Sequence, residues 1–326
     1  MAPTSTGSHT RSLDESSLSS PYHVPVLVEA VLRALTPLEP GVVLDATVGG
    51  GGHARRILER FPDATVLGSD MDADALAAAS SALEPFGRRV RLVQARADEI
   101  VDRAGLSSGS LSGALLDLGV SSHQLDDEGR GFSFRRGVRL DMRMDAGGEQ
   151  ADGARAVLAS ASEEDLTYVF RTLAEEPRGR ALARAVCRRR EREPLETSDD
   201  LVAALASVLG RSPTAREKAR VFQGLRMAVN REWESLKAAL VAIRDALRSG
   251  GTFCVISYHS HEDREVKHAF REWSRDCVCP PDFPVCACSG VALGRVLTPK
   301  PIYPEPAEVD ANPRARSARM RAWRAA

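Results

Sequence analysis

No run of about eighteen apolar residues occurs in the chain, so the sequence offers no candidate transmembrane helix. Met1 to Pro21 is crowded with Ser and Thr and lacks the apolar stretch a secretory signal needs. That segment is expected to be a disordered tail and the protein to be cytoplasmic. Cysteine is scarce, with six in 326 residues, and a cytoplasmic setting predicts that all are reduced. Excess charge is lacking too: 44 Lys and Arg stand against 45 Asp and Glu, so the overall field does not announce a nucleic-acid partner. What remains is 43% hydrophobic and 27% charged, the composition of an ordinary globular protein. The length suits one large domain with a smaller one, or two of ordinary size.

Arginine is nevertheless concentrated in two places. Arg178, Arg180, Arg184, Arg188, Arg189, Arg190 and Arg192 crowd one segment, and Arg314, Arg316, Arg319, Arg321 and Arg324 crowd the C-terminus. Either run alone is as readily a solvated face as a binding surface. Two of them in a neutral chain tilt the expectation toward a polyanionic partner.

Strand and helix signals alternate from Val42 onward. Val42-Val43-Leu44 ends in Asp45, then glycines, then a helical stretch from His53 to Arg60. Ala64 to Gly68 leads to Asp70, Asp72 is placed to cap a helix over Ala73 to Leu83, and Val90 to Val93 and Gly113 to Leu118 supply two further strands. This rhythm predicts a parallel sheet covered on both faces, an α/β Rossmann-like fold. It breaks after Asp126. Helical patterns then cover Ala154 to Ala159, Glu163 to Leu173, Arg180 to Arg190 and Asp199 to Leu209. A single long helix is expected from Ala219 to Arg248, closed by Ser249-Gly250-Gly251, before a strand at Thr252 to Tyr258 and a helix at Glu262 to Trp273. The expected organisation is a tail (1–21), a sheet domain in two pieces (22–125 and 219–326), and an inserted helical domain (126–218). An insertion there lies at the carboxyl edge of the strands, where open α/β sheets bind ligands, and is placed to grip a substrate.

The loop Asp45-Ala46-Thr47-Val48-Gly49-Gly50-Gly51-Gly52-His53 lets backbone approach a nucleotide without interference from Cβ atoms. Alone it does not choose a cofactor, because Gly49-x-Gly51-x-x-Ala54 also satisfies the dinucleotide pattern and keeps an NAD(P)-dependent oxidoreductase open. Asp70 suits ribose hydroxyls in either case. Carboxylates at or just after successive strand ends, Asp45, Asp70, Asp98 and Asp117, favour S-adenosylmethionine (SAM) instead. SAM carries an amino group and a sulfonium but no phosphate, so acceptors suit it better than they suit a pyrophosphate. Any one of these Asp residues is by itself more often a turn residue.

One long string is more specific: Leu115-Leu116-Asp117-Leu118-Gly119-Val120-Ser121-Ser122-His123-Gln124-Leu125-Asp126-Asp127, then Arg130-Gly131-Phe132-Ser133-Phe134, then Leu140-Asp141-Met142-Arg143-Met144-Asp145. Tyr22-His23-x-Pro25-Val26-Leu27 precedes it. Phe222-Gln223-x-Leu225-Arg226, Ala228-Val229-Asn230, Val255-Ile256-Ser257-Tyr258-His259-Ser260 and Asn312-Pro313-Arg314-Ala315-Arg316-Ser317 follow. In this order the motifs closely resemble the bacterial 16S rRNA cytosine-N4 methyltransferases, the RsmH/MraW family. The resemblance implies a class I SAM-dependent methyltransferase sheet with a helical insertion, SAM as donor, and a cytosine amine in the decoding region of small-subunit rRNA as acceptor. It also implies cofactor contacts at Gly51, Gly52, His53, Asp70, Asp117 and Gln124. A further contact falls at Ala97, where the family usually has an aromatic. The chain departs from the pattern at His123, at Gly137-Val138-Arg139 and at Glu217-Lys218-Ala219-Arg220-Val221, all in or beside the insertion.

A cytosine amine is a poor nucleophile, so the enzyme must hold it in line with the methyl group and accept its hydrogens as the nitrogen pyramidalises. Asp117 is the first candidate acceptor, with Ser121 and Ser122 nearby in sequence. His259 follows a strand and is a further catalytic candidate, lining the pocket or relaying the released proton, unless it is structural. The target base must be unstacked to enter. A non-catalytic ribosome-assembly factor on the same fold is the other alternative. Cys277, Cys279, Cys286 and Cys288 lie within a dozen residues, but their C-x-C spacing is tighter than most zinc sites, and free thiols are the expectation there. Cys187 and Cys254 read as small buried hydrophobes.

Overall fold

The computed structural model describes residues 25–120, 124, 125, 127–145, 153–277, 279 and 290–326. Seven strands form one sheet: β1 (Gly41–Asp45), β2 (Ala64–Asp70), β3 (Val90–Gln94), β4 (Leu111–Asp117), β5 (Leu247–Ser257), β6 (Gly294–Val296) and β7 (Arg319–Ala325), in the order β3-β2-β1-β4-β5-β7-β6. The first five run parallel, and β7 lies antiparallel between β5 and β6. The α/β Rossmann-like expectation is met, and the reversed strand beside β5 gives the sheet its class I methyltransferase form. Strand order reverses between β1 and β4, which opens a crevice at their carboxyl ends.

Side chains alternate across the sheet, as the two-residue strand period requires. Val43, Val66, Leu115 and Cys254 bury on one face against the helices Val28–Leu35 and Gly52–Arg60. Leu44, Leu67, Leu116, Phe253 and Val255 bury on the other, against Glu232–Ala246 and Ser260–Trp273. Helices run close to their expected bounds at Gly52–Arg60 and at Ala73–Leu83, where the Asp72 carboxylate accepts from the Asp74 N–H at 3.2 Å.

A separate apolar cluster, drawing on residues from Phe132 to Val229, holds the helices Gly153–Ser160, Glu163–Tyr168, Gly179–Arg190, Ser198–Leu209 and Ala215–Val229 together. Three capping boxes start its helices at Ser162, Thr197 and Thr214. The sequence predicts one helix from Ala219 to Arg248; the structure has two, Ala215–Val229 and Glu232–Ala246. Arg231 between them takes a left-handed φ of 51°, and the Asn230 side chain is turned to other work described below. Ser249-Gly250-Gly251 is no helix cap either: the helix ends at Ala246 and these residues belong to β5. The C-terminal arginine run, for which no strand was expected, is largely β7.

Candidate functional site

The crevice at the β1/β4 switch point is a cleft lined by the glycine loop, the carboxyl ends of β2 and β4, and the residues joining the two helices at Asn230. Of the residues expected from the sequence, Gly52, His53, Asp70, Ala97, Asp117 and Gln124 line it. Gly51 does not. Its φ is +84°, and a Cβ there would point at Leu83 and Ala79, so this glycine serves the turn and the packing of two helices. His259 also stands off the cleft: it caps Ser260–Trp273, with Nε2 2.8 Å from Glu262 Oε1. Ser121 and Ser122 lie outside the described residues.

Three buried polar atoms beside the cleft have no hydrogen-bond partner among the described residues: Asp45 Oδ2, His53 Nε2 and Asp117 Oδ1. His53 Nε2 is 3.6 Å from Asp117 Oδ2. Burial pushes the Asp45 carboxyl up to about 7, with His53 opposing and Asp117 and Asp70 reinforcing the rise. Burial likewise raises Asp70 to about 6, even though its oxygens accept from the Gly49 and Asp72 N–H groups, each at 3.0 Å. So many acids under a glycine loop oppose a pyrophosphate and suit a ligand that brings positive charge and hydroxyl donors. That donor set fits SAM. Asp70 would meet the ribose hydroxyls, and Gly52, whose Cβ would stand 3.0 Å from the Pro25 ring, lets Pro25 close over the edge of the cleft.

Sequence reasoning missed Tyr258, Asn230 and Trp233, all on the cleft. Tyr258 follows β5 as Leu118 follows β4 and lies beside Asp117; burial and that carboxylate hold its proton on. Its place just past a strand end was the available signal. Asn230 accepts from the Met144 N–H and donates to the Met142 carbonyl, both at 2.8 Å. Two strings that stand far apart in the sequence, Leu140 to Asp145 and Ala228 to Asn230, are thus clasped to each other. Behind the cleft residues Gln124 and Met144, Arg130 donates to the Asp72 carboxylate at 2.8 Å and to the Met144 carbonyl at 2.7 Å, and Gln124 donates to the same carboxylate at 2.9 Å.

A family model described as the MraW methylase family matches residues 20–326. The chain belongs to that family. Ribosomal RNA small subunit methyltransferase H of Gemmatimonas aurantiaca is 49% identical over 308 residues, covering 94% of this chain and 96% of that protein. The protein of the same name from Syntrophus aciditrophicus is 45% identical over 305 residues, covering 92% and 96%. Among solved structures, an rRNA methylase from Streptococcus thermophilus matches 93% of this chain and 98% of its own at 9% identity and a TM-score of 0.41. That likeness is too remote to argue from; the strand order carries the fold. This MraW-family chain is a SAM-dependent methyltransferase, and the oxidoreductase reading falls with its pyrophosphate.

Among the described residues no helix is long and apolar enough to cross a membrane, and no three His, Cys, Asp or Glu side chains gather as a metal site. Cys286 and Cys288 lie outside the described residues. Cys254 is fully buried in the sheet, where burial pushes its thiol up to about 12, and Cys187 is half-buried.

Proposed function

We propose that this enzyme methylates the N4 amine of a cytosine in the decoding region of small-subunit (16S) rRNA, acting in the cytoplasm. The supporting observation is Asp117: a carboxylate at the end of β4, 12% exposed, with Oδ1 unpartnered beside the cofactor cleft. Bound SAM supplies an electrophilic methyl group. Asp117 accepts a hydrogen bond from the incoming amine, which fixes its direction and gains strength as the nitrogen becomes positive. Tyr258 lies beside Asp117 and keeps its proton, while His53 also stands close to the carboxylate. Ser121 and Ser122 follow Asp117 by a few residues and are proposed to help hold the base. In this reading 22–125 and 219–326 form the methyl-transfer unit and 126–218 grips the RNA. The separate helical core supports a division into two units, but it reaches Val229, so it favours a second boundary at the turn by Asn230 rather than at 218.

Asp117→Asn is expected to lower methyl transfer by about 10²–10³-fold while SAM affinity stays within about tenfold. Activity at the wild-type level would overturn the assignment. Base-resolved methylation mapping of small-subunit rRNA, with and without the gene, identifies the acceptor; unchanged cytosine methylation refutes the substrate.

A further inference from the structure

The helix Gly179–Arg190 buries one face through Leu182, Ala183 and Val186 and exposes arginines on the other. Arg180, Arg184 and Arg188 recur every four residues, and Arg192 repeats the interval just past the helix end; all four are exposed. An interval of four residues advances about 6 Å along a helix, so three of these guanidinium groups form a line about 12 Å long. None of the four side chains has a hydrogen-bond or carboxylate partner among the described residues. Their neighbours do: Arg189 bonds Asp200 at 2.8 Å, Arg190 bonds the Leu158 and Ala161 carbonyls, and Arg178 bonds the Val208 carbonyl.

Helix stability does not explain the line. Basic residues favour the last turn, which accounts for Arg188 but not for Arg180, which sits in the first turn against the macrodipole. The other described helices of twelve residues or more all begin with acids: Asp199 and Asp200, Glu217, Glu232 and Glu234, Glu262 and Asp263. Gly179–Arg190 begins with none. Its start is also tied to the cleft. Just upstream, Glu175 Oε1 lies 2.8 Å from His261 Nε2, and the His261 ring meets Trp233, a cleft residue, edge-on at 5.9 Å.

We propose that Arg180, Arg184, Arg188 and Arg192 bind successive phosphates of the substrate RNA along a track whose inner end reaches the rim of the methyl-transfer cleft. The track rests on the RNA-methylating reading and adds its contacts. Phosphates are the ligand that matches a row of unpartnered, always-charged forks on a neutral molecule. The contacts position the strand and carry no base identity.

The test compares wild type with R180Q/R184Q/R188Q/R192Q, using a naked small-subunit rRNA fragment and the assembled small subunit across a salt series. Each phosphate contact contributes about 0.7–0.9 to the slope of log affinity on log salt. The variant should therefore lose about 3 from that slope and raise the KM for RNA, with kcat at saturation and SAM affinity unchanged. The four-lysine variant should keep most of the slope. An unchanged slope overturns the track. So does loss of binding to the assembled subunit alone, which would assign the arginines to an acidic protein partner. A wild type with the expected slope that methylates no rRNA leaves the track standing and overturns the acceptor instead.

Discussion

The two arginine runs look alike in sequence, yet members of each are put to opposite uses. At the C-terminus Arg321 is buried in β7 and holds Asp263 through two hydrogen bonds, at 2.6 and 3.0 Å. Arg324 donates to Thr252 Oγ1 across the sheet and to the Ala34 and Thr36 carbonyls. In the helical insertion Arg180, Arg184, Arg188 and Arg192 face solvent, and their side chains have no partner among the described residues. Arg321 and Arg324 of one run are consumed by the fold, and four arginines of the other are left over. A charge run predicts a polyanion only after the intramolecular partners have been subtracted, and the partners are a tertiary property. The same distinction divides the acids: Asp263 and Asp72 are paired, whereas Asp45 and Asp117 are buried at the cleft with oxygens unmet.

The largest effect should come from breaking a consumed charge. Arg321→Ala leaves the Asp263 carboxylate mostly buried and unpaired, and should cost about 4 kcal/mol in denaturant unfolding. Asp263→Ala in the Arg321→Ala background should recover part of that loss. If Arg321→Ala instead leaves stability intact while flattening the salt dependence of RNA binding, the two runs have been assigned the wrong way round.

Next comes a buried acid whose Oδ2 has no partner among the described residues. Burial raises the folded-state pKa of Asp45 to about 7, so the folded protein holds that proton more tightly than the unfolded chain. Asp45 and Asp70 therefore favour the fold of the ligand-free protein fully below the ordinary carboxylate range, and this contribution is lost as pH rises through about 6 to 7. Asp45→Asn should remove most of the decline and stabilise the ligand-free protein by about 2 kcal/mol at pH 8. A pH–stability curve that keeps the wild-type slope in this variant would mean that the carboxylate is solvated or paired after all.

Where the sequence was legible, local chemistry agreed with tertiary context. The first four strands, the glycine turn and the Asp72 cap are dictated within a few residues of one another, and they were readable to within a residue or two. The failures sit where a distant partner decides. Asn230 and Arg231 look helical, but the Met142 and Met144 backbone groups capture the Asn230 side chain and the helix ends there. In Arg319-Met-Arg-Ala-Trp-Arg-Ala325 the alternation of a strand is present, but Asp263, remote in sequence, lets Arg321 be buried, so charge masked the pattern. At the site, Asp70, His53 and Asp117 were readable because strand ends converge on one crevice. Tyr258 was not, because its role depends on lying beside Asp117. Gly51 is ambiguous in a sequence because a positive φ and a ligand contact leave the same mark there.

Within the insertion a smaller contrast is available on a single helix. Arg189 pairs with Asp200, whose oxygens also accept from the Glu196 and Thr197 N–H groups, so Arg189→Gln should cost about 1 kcal/mol. Its effect on the salt slope of RNA binding should be near zero. Arg188, one residue away, should behave in reverse.

The smallest expected change in stability belongs to the unpartnered arginines themselves. Exposed substitutions away from caps and pairs usually fall within about 0.5 kcal/mol, and none of the four supports a cap or a pair. Removing Arg180 relieves a positive charge in the first helical turn, while removing Arg188 gives up a favourable one in the last, so the two changes oppose each other. R180Q/R184Q/R188Q/R192Q should therefore unfold at the wild-type denaturant midpoint, with an unchanged dependence on denaturant, in the same preparation that has lost its salt-dependent hold on RNA. A loss above about 2 kcal/mol in that variant would show that the insertion's arginines are consumed by the fold as Arg321 is, and the contrast between the two runs would collapse.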